Sequence, residues 1–249
     1  MIERFGRDEK IYGKSYEQWV QEWYRWACMP PPKGLGVAEH PLEGSDGEEK
    51  SGRGLPKHGD GGEVWFCGTA FDNPDANVVR KVSLPANTAI LAACINLSVD
   101  KYEYEHVFLS QATGEQKKKA VSTIRKDPRT RAVLTFRENE SGVDWIFHEN
   151  LDYIETTIDN LVTEHGYYVM ATSRGDHEAY SNKNKEELVA SVGADTRLES
   201  AGYYCFLKPE NFKEHSTYTI TIYDEAPFFG RSKEAGQKFS SRAVYQISR

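Results

Sequence analysis

Residues 15–32, SYEQWVQEWYRWACMPPP, constrain this chain more than any other stretch. Trp19, Trp23 and Trp26 fall at steps of four and three. On an α-helix that spacing lines all three indoles along one face. Ser15 and Gln18 have the spacing of a capping box, and Pro30, Pro31 and Pro32 end the helix. Water does not hold three indoles on one stripe, so a large apolar surface must receive them. The segment is predicted to be a docking helix. Whatever the rest of the chain folds into, it must offer a surface of that size, its own or a partner's.

The rest reads as sheet. The chain has 249 residues, enough for one large β domain that buries its core without disulfides or metals. It carries 14 tyrosines, and rings on alternating segments favour strands. Strands are expected over 63–67, 78–84, 88–99, 102–109, 131–136, 143–147, 167–172, 203–207, 217–223 and 244–247. Residues 131–147 form a hairpin around Glu140-Ser141-Gly142. Short helices are expected over 114–126 and 185–192. Residues 152–164 are ambiguous: Leu151, Ile154, Ile158 and Leu161 have helical spacing, while Thr156-Thr157-Ile158 favours strand. The organisation expected is an arm over 1–14, the tryptophan helix packed on the domain over 15–32, and a loop over 33–62. A single β-sandwich or jelly-roll-like domain then fills 63–249. The loop is rich in glycine and charge, with Leu35, Val37, Leu42 and Leu55 as its few apolar anchors. Such a loop cannot offset its ordering entropy with its own side chains. The anchors are therefore candidate contacts with the sandwich or with a neighbour.

Charge excludes some partners. Lys and Arg total 31 against 38 Asp and Glu, a net charge of −7. No general nucleic-acid or anionic-membrane binder is expected. Lys117-Lys118-Lys119 reads as a solvated helix face. The longest apolar run, 88–97, is too short to span a bilayer, and the first residues, MIERFGRDEK, lack the apolar segment of a signal peptide. Cys28, Cys67, Cys94 and Cys205 match no zinc or redox spacing and are expected to be reduced. A protein made in the cytoplasm follows, open to incorporation into a virion or other assembly.

Three pieces carry a resemblance. They are the tryptophan helix with its prolines, the stretch VWFCGTAFDNPDANVVRKVSLPANTAILAACIN over 64–96, and GYYCFLKPENFKEHSTYTITI over 202–222. Together they resemble an uncharacterised bacterial and environmental β-sandwich family. Its members have a W-x3-W-x2-W helix, a Val-Trp-Phe-Leu-Ala-Gly-Thr strand, an Arg-x-Val-x-Leu-Pro strand and a Gly-Tyr-Tyr-x-x-Leu-x-Pro hairpin. Many of those relatives are exported and carry loop cysteines, which this chain lacks. The resemblance implies architecture and transfers no catalytic residue.

Chemical motifs are sparse. The seven histidines form neither H-x-H nor H-E-x-x-H, and no metal or cofactor is expected. There is no G-x-S-x-G, and Gly59-Asp60-Gly61-Gly62 has neither the Lys nor the flanking elements of a phosphate loop. Cys205 lies in a strand without the sharp turn a nucleophile needs. Asp100, Asp144, Asp152 and Asp159 could pair for acid–base work on a sugar, yet solvated loop carboxylates are commoner. Tyr102 and Tyr104, with Tyr167, Tyr168, Tyr203 and Tyr204, are candidates for a contact strip, about half of them turned inward. Three functions stay open, in this order. The first is a non-catalytic structural or interaction protein within a larger assembly, through protein partners or self-association. The second is a carbohydrate- or ligand-binding sandwich. The third is a jelly-roll enzyme. Trp19, Trp23, Trp26 and Trp65 are the expected docking and core anchors.

Overall fold

The computed structural model describes residues 2–27, 63–69, 77–85, 87–100, 130–148, 150–158, 198–227 and 238–248. Helix α1 runs Tyr16–Ala27. The strands are β1 Glu63–Cys67, β2 Asn77–Ser83, β3 Thr88–Asp100, β4 Arg131–Glu138, β5 Val143–Phe147, β6 Asp152–Ile158, β7 Leu198–Leu207, β8 Thr217–Pro227 and β9 Lys238–Ser248. Strands make up 60% of the described residues, which sets the class as mainly β. One sheet has the order β1-β3-β7-β6 and the other β2-β9-β8-β4-β5. Both are mixed, because β1 runs parallel to β3 and β2 parallel to β9. The fold is a β-sandwich with an N-terminal helix.

Strand parity explains the layers. Along β1, Trp65 and Cys67 enter the core between the sheets, while Val64 and Phe66 turn to α1. On β3, Ile90 and Ala92 face the second sheet, and Ala89, Leu91 and Ala93 face the helix. On β7, Cys205 and Leu207 go one way, Tyr204 and Phe206 the other. The four-stranded sheet is thus covered on both faces, which is why VWFC and TAILAAC read as unbroken apolar runs. Between Ala93 and Ile95 the β3–β7 register shifts, so Cys94 is the extra residue of a bulge. Cys94 and Ile95 consequently share the inter-sheet core.

The capping box forms as spaced. The Ser15 N–H donates to Gln18 Oε1 at 2.8 Å, and the Gln18 N–H donates to Ser15 Oγ at 3.2 Å. The arm ahead of it belongs to the sheet. The Phe5 N–H donates to the Phe206 carbonyl at 2.9 Å and the Lys208 N–H to the Glu3 carbonyl at 3.2 Å. β6 pairs with β7 only as far as Tyr204, and the arm takes over from there.

The open reading of 152–164 and the hairpin reading of 202–222 can both be compared with the fold. Residues 152–158 are strand, with Ile154, Thr156 and Ile158 alternating inward beneath α1, and 159–164 lie outside the described residues. The expected hairpin over 202–222 is not one: β7 and β8 lie in different sheets. Both edges of β7 are taken, by β3 and β6, and both edges of β8, by β4 and β9. The Pro209–Asn211 turn carries the chain across the sandwich instead. Residues 131–147 do form the expected hairpin. No helix among the described residues is long and apolar enough to cross a membrane. The expected elements at 102–109, 114–126, 167–172 and 185–192, and the loop 33–62, lie outside the described residues.

Candidate functional site

The tryptophan stripe is received by the chain's own sheet. Trp19, Trp23 and Trp26 are all buried against Val64, Phe66, Leu91 and Phe206. Each of two indoles is also anchored by its one donor. Trp19 Nε1 donates to the Ile11 carbonyl at 2.7 Å and Trp23 Nε1 to the Cys67 carbonyl at 3.1 Å. Trp26 meets Phe66 with ring centroids 5.7 Å apart. Trp65 sits on the opposite face of the sheet, edge-on to Tyr245 at 5.2 Å. These four anchors are therefore core, and none of them is open to a ligand.

A polar clamp crosses the sandwich where β1 ends. Gly68 donates its N–H to Tyr245 Oη at 3.1 Å, and the same hydroxyl donates to the Gly68 carbonyl. Arg80 Nη1 bonds both the Gly68 carbonyl, at 3.1 Å, and Tyr245 Oη. The Tyr245 hydroxyl thus uses its one donor and both acceptor positions. The Arg80 guanidinium also lies over the Tyr245 ring, 5.3 Å from its centroid. Next along the chain, Thr69 Oγ1 donates to Asp224 Oδ2 at 2.8 Å. Asp224 Oδ1 accepts from the Ser241 N–H at 3.1 Å and from the Ser241 hydroxyl. Burial raises the Asp224 carboxyl to about 6, against the pull of these hydrogen bonds. The clamp fixes the end of β1 to the second sheet. Sequence reasoning missed it. The signal was a charge at a core-facing strand position: Arg80 between Val78 and Val82, and Asp224 after Ile222.

Burial disfavours the thiolate form of Cys67, Cys94 and Cys205. Burial pushes the Cys205 thiol up to about 12, and Cys67 and Cys94 well above the usual thiol range. Asp152 is half-buried, its carboxyl raised by burial, with Arg4 Nη1 3.8 Å away. Among the described residues no group of three or more His, Cys, Asp or Glu could hold a metal ion.

What faces outward is different in kind. The exposed large apolar side chains among the described residues are Tyr12 at 36%, Val143 at 46% and Ile146 at 67%. Val143 and Ile146 lie on β5, the last described strand of the five-stranded sheet. Asp144, between them, has Arg137 Nε 3.7 Å away on β4. Of the tyrosine strip candidates, Tyr204 is buried, Tyr203 is partly buried and pairs with Tyr153 at 5.2 Å, and Tyr167 and Tyr168 lie outside the described residues. The contact candidates Leu35, Val37, Leu42, Leu55, Tyr102 and Tyr104 lie outside the described residues. No protein-family model, no curated protein and no solved structure matches the chain.

Proposed function

We propose that this chain is a non-catalytic structural and interaction protein, a component of a larger assembly such as a virus particle, held there by protein–protein contact. One observation carries the reading: Ile146, 67% exposed, stands on the last described strand of the five-stranded sheet, with no described strand beyond it. An edge of that kind is a template for pairing with another chain. The buried chemistry supports the same reading. A Cys205 thiol at about 12 carries essentially no thiolate at neutral pH, and Asp224 is occupied by Thr69 and Ser241. The net charge of −7 favours protein contact over nucleic acid. Sedimentation equilibrium of the purified full chain tests the proposal. A mass above the 28.3 kDa of one chain is expected, and a single-chain mass at every concentration contradicts it.

A further inference from the structure

The β5 edge has a definite polarity. Gly142 donates its N–H to the Glu138 carbonyl at 2.9 Å, so the backbone of Glu138 is turned towards β5. In an antiparallel pair the N–H and C=O of one residue point to the same side, and alternate residues point oppositely. Phe136 and Leu134 face β5 in the same way, opposite Trp145 and Phe147, and Glu138 lies opposite Val143, whose own N–H donates to Ser141 Oγ at 3.3 Å. Asp144 and Ile146 turn theirs to the outer edge, beyond which no described strand lies. The centre of that edge, Trp145-Ile146-Phe147, carries no charge, no proline and no bulge, the devices by which edges are blunted.

We propose that β5 pairs antiparallel with β5 of a second copy of this chain, about a two-fold axis at Ile146. This rests on the interaction reading above and names its partner. The strand is self-complementary in that register. Ile146 lies opposite Ile146 of the second copy, so the most exposed apolar side chain is covered by its twin. Asp144 lies opposite His148 of the second copy, and on the other side it already has Arg137. An acid is thus flanked by two bases, where like charges would oppose pairing. Trp145 meets Phe147 of the second copy on the inner face. An isologous contact of this kind closes at a dimer.

The test is a charge-swap at the axis, read by sedimentation equilibrium on the full chain. The parent is expected at twice the single-chain mass. Ile146→Lys and Ile146→Asp each place like charges across the axis, and each alone is expected to fall to the single-chain mass. Mixed one to one, they oppose Lys to Asp and should regain the doubled mass, which also shows that both variants are folded. A mixture that stays at the single-chain mass overturns the two-fold pairing. A parent that associates, with variants that associate equally, overturns this pairing alone and leaves the interaction reading standing. A parent at the single-chain mass throughout overturns both.

Discussion

Trp23→Ala is expected to lower the stability of the chain by about 3–5 kcal/mol, measured by urea unfolding. Trp23 is 2% exposed and packs edge-on to Tyr24, Trp26 and Tyr204, with centroids 5.1, 6.0 and 6.4 Å away. Truncation removes that packing and leaves a cavity between helix and sheet that rigid neighbours on β1 and β7 cannot fill. It also frees the Cys67 carbonyl, a buried acceptor whose loss of a partner adds to the cost. Trp23→Phe should cost less, because the ring volume is largely kept and only the indole donor goes. An unchanged midpoint in Trp23→Ala would mean that α1 is not an integral layer of the fold.

The second large effect has the opposite sign. Asp224→Asn is expected to stabilise the protein at pH 7.5 by up to about 3 kcal/mol, following from about 1.4 kcal/mol per unit of a shift from 3.8 to about 6. The sign follows from where the proton is held. The folded carboxyl binds its proton more tightly than the unfolded one, so ionisation disfavours the fold. The contribution of Asp224 is most favourable below about 4, declines as pH rises, and levels off above about 6. Asparagine never ionises. Its oxygen can keep the two bonds from Ser241, and its amide can donate to Thr69 Oγ1 once that hydroxyl turns. Urea unfolding of parent and variant at pH 4.5 and 7.5 gives the answer. The gap between them should widen towards pH 7.5. A gap independent of pH would show that Asp224 does not titrate in this window.

Much of the architecture is legible in residue order, for local reasons. The 19, 23, 26 spacing and the Ser15–Gln18 pair specify a capped helix with one apolar face, and both features are realised. VWFC and TAILAACI read as buried strands because sheet and helix cover both their faces. The pairing of elements is another matter. Nothing local in GYYCFLKPENFKEHSTYTITI reports that the edges of β7 and β8 are already occupied, so a hairpin reading fails there. Parallel pairing of β2 with β9 joins residues more than 150 positions apart, which no local pattern encodes. The clamp is hidden for the same reason. Arg80, Gly68, Asp224 and Tyr245 meet only because two sheets stack. Ile146 reads as an ordinary strand residue, and its exposure goes with its place on the last described strand of its sheet rather than with its neighbours in sequence.

The central claim, a sandwich that works through its β5 edge, is tested most directly by amide hydrogen exchange at Asp144 and Ile146 over a range of protein concentrations. Those two N–H groups face the edge, whereas the N–H groups of Trp145 and Phe147 face β4 within the hairpin. Slow exchange at Asp144 and Ile146 in concentrated protein, becoming fast on dilution while the hairpin amides stay protected, is the predicted result. Exchange at these two positions that is fast and identical at every concentration would contradict it.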